Sequence, residues 1–300
     1  MRKAILFLIL SGALFSSCGR SPQYRTESGI LYRVIQPLHR SDTLLAGLGS
    51  TVKLRYLSKI GDSVIDNNYD KLPVYASVLP PASFGYNPLE VLGYGVREGD
   101  SIITTQIVDT MVARAVFPKL SPYMHPGDQW ITYIKIERVF HPGQDMETQL
   151  RDDKIREKHL TDSLQTVLGP VRIANWLQKQ HITAFALGNG LYVDTLQRGQ
   201  GPIADSGMTQ QLRYSISTLD GSPLDSNRDT AQQHPPLLHY VIGTNAMLPA
   251  VSKVLRTLRE GDHVRIYIPA MLAMGDQPYG TKGKPYDDMV FDVELVKIGE

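Results

Sequence analysis

The sequence predicts an α+β fold class in which two related β-rich domains are joined by a helical segment. Three observations support this prediction. They are an internal repeat, runs of alternating apolar and polar residues typical of half-buried strands, and a charged stretch without glycine or proline between the repeats. The 19 prolines and 25 glycines suit a chain with many turns. The net charge of +1 gives the protein no general attraction to nucleic acid.

Short motifs recur in the same order in both halves of the chain. The paired positions are Tyr56 and Tyr214, Asp66 and Asp225, and Glu98 and Glu260, which are separated by 158, 159 and 162 residues. A nearly constant separation across three motifs indicates a duplicated domain.

Both copies contain the patterns of strands and of one short helix. Strand alternation is found at residues 51–56, 130–139, 262–268 and 289–295. In the second copy, apolar residues from Met247 to Leu258 recur at helical spacing, and Gly261 is a signal for the helix end. The first copy offers residues 89–96 as its helix, a weaker pattern because it contains two glycines.

The region between the copies has a helical pattern. Residues 145–168 and 171–180 carry apolar side chains at helical spacing, and Gly169-Pro170 between them predicts a break. The apolar positions are Met146, Leu150, Ile155, Leu160, Leu164, Leu168, Ile173, Trp176 and Leu177. This stripe has two interpretations: a spacer or partner-binding arm, or a face that packs on one of the domains.

The N-terminus has the order of an export signal. Arg2 and Lys3 precede an apolar run that ends at Phe15, and two serines lead to Cys18, the only cysteine. The run is too short to span a bilayer, which takes about 20 apolar residues. The Ser-Ser-Cys-Gly sequence resembles a bacterial lipobox and predicts a protein anchored by lipid at Cys18 to the cell envelope, facing the periplasm or in the outer membrane. An ordinary signal peptide that contains a cysteine is the alternative.

An ordered set of short motifs runs through the second copy. The motifs are Gly190-Leu191-Tyr192, Gln200-Gly201-Pro202, the strand ending at Tyr214, residues 219–226, Tyr240-Val241-Ile242-Gly243, residues 258–261, Ile268-Pro269, Ala273-Met274-Gly275 and residues 290–296. As a set, they resemble the FKBP family of peptidyl-prolyl isomerases from residue 187 to residue 299. The helix ahead of them is similar to the same segment in lipoproteins of Bacteroidetes-type bacteria. The first copy resembles the family only in outline, as a diverged sister domain.

The resemblance implies that each domain is a twisted antiparallel sheet around a short helix, and that the second domain binds a prolyl ring in an apolar pocket. It implies catalysis without nucleophile, metal or cofactor, on proline-containing exported polypeptides. The family's catalytic-site positions fall on Tyr214, Asp225, Met247, Leu248 and Phe291. Its pocket positions fall on Leu224, Leu238, Val251 and Met274, where the family prefers aromatic residues.

Two polar positions leave alternatives open. Asp225 either shapes the rim of the pocket or caps a turn. Residues 276–288 correspond to a loop that overhangs the pocket in the family, so Tyr279 is a second candidate for the tyrosine that Met274 replaces. In the first copy, Tyr56 and Asp66 occupy matching places, but later pocket motifs are missing, so this domain is expected not to catalyse.

The predicted division of the chain has five parts. They are a signal peptide at 1–18, a tether at 19–28, a diverged domain at 29–141, a helical linker at 142–186 and an isomerase domain at 187–300. The function that this division favours is an envelope-anchored prolyl isomerase. A non-catalytic chaperone or adaptor on the same fold is the alternative, with a structural part of a surface or motility machine as a third. The scattered histidines show no metal-ligand spacing, and no nucleophile motif or nucleic-acid-binding stripe is found.

Overall fold

The computed structural model describes residues 22–37, 44–116, 124–228 and 235–299. The predicted signal peptide, Cys18 and the start of the tether lie outside these ranges. Contacts divide the chain into two compact units, one made of Met1–Asn67 with Tyr75–Pro142, and the other of Asn68–Val74 with Gly143–Glu300. No helix within the described ranges has the length and apolar character needed to cross a bilayer.

The first unit is built on a seven-stranded antiparallel sheet. Its strands are β1 (Tyr24–Arg25), β2 (Leu31–Ile35), β3 (Thr51–Ile60), β4 (Ser63–Asn67), β5 (Val74–Ser77), β6 (Ser101–Ile107) and β7 (Gln129–Phe140). They lie in the order β1-β2-β6-β7-β3-β4, and β5 also pairs with β3. A short helix, α1 (Val108–Ala113), follows β6.

The second unit begins with the long helix α2 (Met146–Lys179) and continues as another seven-stranded antiparallel sheet. Its strands are β8 (Phe185–Gly188), β9 (Leu191–Gln197), β10 (Thr209–Thr218), β11 (Pro223–Ser226), β12 (Leu238–Val241), β13 (His263–Ile268) and β14 (Met289–Gly299). The helix α3 (Pro249–Leu255) packs on one face of this sheet, where Val251, Val254 and Leu255 join the buried core.

The strand order of the second sheet repeats that of the first. It runs β8-β9-β13-β14-β10-β11, and β12 also pairs with β10, so each strand has a counterpart seven places earlier in the chain. This correspondence agrees with the duplication read from the sequence motifs. The predicted fold class, α+β with two antiparallel sheets and a helix between them, is confirmed.

The helix predicted at residues 89–96 of the first copy is a 3₁₀-helix, Pro88–Tyr94, and not an α-helix. The Asn87 side chain accepts a hydrogen bond from the Leu89 amide and caps its start. Gly93 lies so close to Leu79 and Pro81 that an added Cβ would come within 2.9 Å of both. Close packing therefore requires the glycine that weakens an α-helix here.

The predicted break at Gly169-Pro170 is wrong, because α2 continues through both residues. Proline inside a helix costs about 3 kcal/mol, so other contacts have to offset it. Gly169 allows close approach to Pro269, whose Cβ would lie 3.1 Å from an added Cβ, and Gly190 packs still more closely on Pro170, at 2.6 Å. Packing on the second domain therefore holds the helix continuous.

The apolar stripe predicted on α2 is mostly exposed in its first part, at Ile155, Leu160 and Leu164. Only the last turns follow the prediction of packing on a domain, since Ile173 and Leu177 are buried against Tyr267 on the outer face of the second sheet. Earlier along the helix, the buried positions are polar, as at Thr161 and Gln165.

Candidate functional site

A cavity of about 410 Å³ opens on the face of the second sheet that carries α3. It lies among β10, β14, the start of α3 and the loop that joins β13 to β14. The residues that line it are Tyr214, Ile216, Leu238, Asn245, Ala246, Met247, Leu248, Pro249, Val251, Met274, Tyr279, Met289 and Phe291. Apolar side chains dominate this list, which suits an apolar ligand group.

The wall of the cavity follows from the alternation of two neighbouring strands. Tyr214 and Ile216 point to the same face of β10, and β14 places Phe291 opposite Ile216. The rings of Tyr214 and Phe291 are stacked, with centroids 5.6 Å apart and planes inclined by 17°. Val251 of α3 is buried beneath them in the same core. The result is a rigid aromatic wall over an aliphatic floor.

The start of α3 forms the opposite side of the cavity. Leu248 is the residue before the helix, with extended backbone angles, and Pro249 occupies the first helical turn. Met247 and Leu248 are partly buried against the core. Their side chains and those of Leu238 and Met274 complete the apolar lining.

Asp225 binds two tyrosines at the rim of the cavity. The Tyr214 hydroxyl donates to Oδ2 of Asp225 at 3.1 Å, and the Tyr279 hydroxyl donates to the same oxygen at 3.0 Å. The other carboxylate oxygen accepts the Ser226 amide at 2.8 Å. Asp225, within β11, therefore accepts hydrogen bonds both from the adjacent backbone amide and from two tyrosines that line the cavity.

Burial, followed by the negative charge of Asp225, raises the pKa of Tyr214 to about 12. The same two causes raise the pKa of Tyr279. Both phenols are consequently protonated at neutral pH and act as hydrogen-bond donors to the carboxylate. Neither is prepared to act as a base.

The structure brings most of the residues predicted for this site together around one cavity. Leu224 is the exception among the predicted pocket residues, since it is 5% exposed and belongs to the core without lining the cavity. Its strand pairs irregularly, with a shift of register between Ile216 and Ser217 of β10. In this structure Leu224 lies in the same buried core as Tyr214 and Phe291, behind the cavity wall.

Sequence reasoning missed Ile216 and Met289, although both were within reach. Each lies two residues from a predicted position on the same strand, next to Tyr214 and Phe291 respectively, and strand alternation alone would have included them. Asn245 and Ala246 lie in the segment before α3, where no periodic signal marks them.

The first domain retains one element of this site. The Tyr56 hydroxyl donates to Oδ2 of Asp66 at 2.9 Å, as Tyr214 does to Asp225. Burial and then the charge of Asp66 raise the pKa of Tyr56 to about 12. The tyrosine–aspartate pair is thus common to both copies. Among the described residues, no cluster of three or more metal-binding side chains is found.

The segment that carries this cavity is similar to known proteins. Residues 201–296 match the model of the FKBP-type peptidyl-prolyl cis-trans isomerase family. The match supports the family assignment of the second domain. The matched residues include Tyr214, Asp225, Tyr279 and Phe291, which form the rim and the aromatic wall of the cavity.

Two curated relatives and one solved structure illustrate the extent of the likeness. The macrophage infectivity potentiator of Trypanosoma cruzi is 30% identical over 118 residues, which are 38% of this chain and 56% of that protein. The probable FKBP-type peptidyl-prolyl cis-trans isomerase FkpA of Neisseria meningitidis serogroup B is 32% identical over 113 residues, 37% of this chain and 39% of that protein. The crystal structure of FkpA from Escherichia coli aligns at 19% identity with a TM-score of 0.38, covering 53% of this chain and 73% of that one. This chain therefore matches about half or less of the length of the two curated relatives.

Proposed function

We propose that the second domain catalyses cis–trans isomerisation of the peptide bond before proline. The observation that carries the proposal is the apolar cavity of about 410 Å³, walled by Tyr214 and Phe291 and floored by Val251. A prolyl ring is apolar and compact, and such a cavity can bury it while the flanking peptide remains at the rim.

The reaction requires no bond to break. The barrier to rotation about a peptide bond is about 18–20 kcal/mol and reflects amide resonance. At the transition state the amide is twisted and has lost this resonance, so it is less polar than either planar form. An apolar cavity that excludes water favours the twisted amide over the planar ones, which lowers the barrier.

The polar groups of the rim support this role without proton transfer. Both phenols are held on Asp225 and remain protonated, because burial and the carboxylate raise their pKa values. They fix the shape of the opening and leave the interior free of charge. A base or nucleophile in the cavity is not needed for this chemistry.

The cellular setting is part of the proposal. The N-terminal pattern that ends at Cys18 supports export and a lipid anchor at the cell envelope. The substrates would then be exported polypeptides that contain proline. Uncatalysed isomerisation of such bonds takes tens to hundreds of seconds, which is slow enough to limit folding.

A second candidate is a chaperone or adaptor that binds polypeptides without turnover. The observation that favours it is the loss of aromatic surface at Leu238, Val251 and Met274, three lining positions where the FKBP family prefers aromatic residues. Aliphatic and methionine side chains adapt their shape and define the geometry of a bound ring less sharply.

The two candidates are separated by an isomerisation assay on the full chain. We would measure the rate of isomerisation of an X-Pro peptide and the refolding of a protein whose slow phase is limited by proline. A catalysed rate that falls in Phe291→Ala, and that is unchanged in Asp66→Ala of the first domain, is the expected result. A folded wild-type chain that accelerates neither substrate but suppresses aggregation of an unfolded protein would leave the chaperone function.

A further inference from the structure

The helix α2 runs along the loop that overhangs the cavity. This loop occupies residues 273–288, between β13 and β14, and carries Tyr279. It is in contact with the helix at several residues, which share one face of α2. They are Lys158, Asp162, Gly169 and Arg172, spaced four, seven and three residues apart.

Tyr286 is the most deeply placed of the loop's contacts with the helix. It is 2% exposed, and its hydroxyl donates to Oδ1 of Asp162 at 2.7 Å. Its amide donates to the Gly275 carbonyl at 2.8 Å, across the base of the loop. Its φ of 61° lies in the left-handed region, which a tyrosine adopts only when its surroundings impose it. The contact with the helix is one of these surroundings.

A lysine ties the same point of the helix to the other arm of the loop. The Lys158 ammonium lies 2.8 Å from Asp162 and 3.0 Å from Asp276. Asp162 thus accepts hydrogen bonds from both the Lys158 ammonium and the Tyr286 hydroxyl. Burial acts to raise the pKa of Asp162, but the hydrogen bonds from Lys158 and Tyr286 outweigh it, and the pKa is lowered. The carboxylate is therefore ionised at neutral pH and holds both partners.

Arg172, further along the same face of the helix, holds the end of the loop. Arg172 donates to both oxygens of Asp288, at 2.8 and 3.2 Å. Asp288 is buried and also accepts the Ala270 amide at 2.9 Å, which joins the segment just before the loop to the loop's last residue. Gly169 permits this approach, since an added Cβ would lie 3.1 Å from Pro269 and 3.5 Å from the Asp288 carboxylate.

These contacts frame Tyr279. Residues 276 and 286, the two that bind the helix through Lys158 and Asp162, lie on either side of it in the chain. Gly283 turns the chain tightly beneath Tyr279, where an added Cβ would come within 2.7 Å of the Tyr279 nitrogen. The loop is therefore held on both sides of Tyr279, whose hydroxyl donates to Asp225.

We propose that Asp162 and Tyr286 are positioning residues of the isomerase site, through which α2 holds the loop so that Tyr279 closes the rim of the cavity. The inference rests on the proposed function of that cavity. The helix between the two repeats is then a component of the binding site and sets how well the rim is formed before a polypeptide arrives.

The kinetic signature follows from the energetics of ordering. When the helix holds the loop, substrate meets a finished rim. When the contact with the helix is lost, part of the binding free energy goes into ordering the loop. The apparent affinity is then the intrinsic affinity multiplied by the fraction of molecules whose loop is ordered. The bound complex is the same, so kcat changes little while KM rises.

The test uses the full chain with Tyr286→Phe and Asp162→Asn, which remove the hydroxyl and the charge while keeping the shape of each side chain. Tyr240→Phe is the matched control. It also removes a buried tyrosine hydroxyl, but one that is hydrogen-bonded to Ser252 at 2.7 Å and not to the loop or to α2. We expect faster hydrogen–deuterium exchange at residues 276–288 in both variants, with exchange in β10 and β14 unchanged. KM should rise about tenfold, the size expected for loss of a charged hydrogen bond, and the control should match wild type.

A double variant, Tyr286→Phe with Asp162→Asn, tests whether the two residues act through one contact. Because Asp162 and Tyr286 act through one contact, the double variant should exchange no faster than either single variant. Loop exchange that stays at the wild-type rate in both single variants would overturn the positioning role, whatever the enzyme's activity. A wild-type chain without isomerase activity would overturn the proposed function, and the exchange data would still decide whether the helix holds the loop.

Discussion

Replacing Asp225 with alanine tests whether the rim of the cavity is held together by this carboxylate. The change leaves two hydroxyls, those of Tyr214 and Tyr279, without their acceptor. A buried donor left unpaired costs about 1–3 kcal/mol. Both phenols border an open cavity where water can replace part of the loss, so we take the lower end for each and expect the free energy of unfolding to fall by about 2 kcal/mol.

The chain offers a separate fluorescent reporter for this measurement. It has two tryptophans, and Trp176 lies on α2 in the second unit while Trp130 lies on β7 in the first. Urea unfolding followed through Trp176 in a Trp130→Phe background therefore reports the second unit. The matched change, Asp66→Ala, removes the acceptor of one phenol and should cost about half as much, seen through Trp130 in a Trp176→Phe background.

The same variant has a spectroscopic consequence. The charge of Asp225 is the second cause, after burial, of the raised pKa of Tyr214. In Asp225→Ala the pKa of Tyr214 should fall from about 12 but remain above 10, because the burial persists. If Asp225→Ala unfolds at the wild-type urea concentration and its phenolate absorbance develops at the wild-type pH, Asp225 does not hold the two tyrosines at the rim.

Three further predictions concern packing and titration. Leu224→Ala should lower the free energy of unfolding by about 2–5 kcal/mol, because Leu224 is buried in the core. The folded fraction should keep the wild-type KM, because Leu224 is not among the residues that line the cavity. A changed KM in folded protein would show that Leu224 contributes to the site. Gly190→Ala should destabilise the second unit more than Gly221→Ala, since both have positive φ but only the Cβ at 190 would come within 2.6 Å of Pro170; equal urea midpoints would contradict this. Because the pKa of Tyr214 is raised to about 12, the folded state keeps this proton when the unfolded chain releases it near pH 10. The free energy of unfolding should then fall as pH rises from about 10 to 12, and less steeply in Tyr214→Phe, as equilibrium urea curves at several pH values would measure.

Strand alternation and the repeat made the sheets predictable, because a strand's inward residues are fixed by a period of two and by burial. Alternation also puts Tyr214 and Phe291 on inward-facing positions, where their rings meet on one wall, but only the family resemblance marked them as site residues. The pairing of Tyr279 with Asp225 depends on a loop without periodicity, and only the family resemblance brought Tyr279 to attention. The position of Leu224 depends on an irregular pairing with β10, which is decided by the neighbouring strand and leaves no mark in its own segment.

The helix between the repeats shows why an apolar stripe can mislead. Its partner surface along residues 158–172 is made of carboxylates, a phenol and a proline, so lysine, aspartate, glycine and arginine face that surface. Leu160 and Leu164 are left exposed. The burial of a helix face is decided by the chemistry of what it meets, and the sequence of the helix alone does not contain that information.

The shared strand order has a consequence for how each domain is made. In both sheets the last strand along the chain, β7 or β14, lies between the strand that directly precedes it and one from much earlier in the domain, and it forms long ladders with both. Without that strand, the remaining strands of each sheet fall into two groups that share no strand pairing. Each sheet therefore becomes continuous only through pairings between residues far apart in the sequence, a topology for which we expect slow folding.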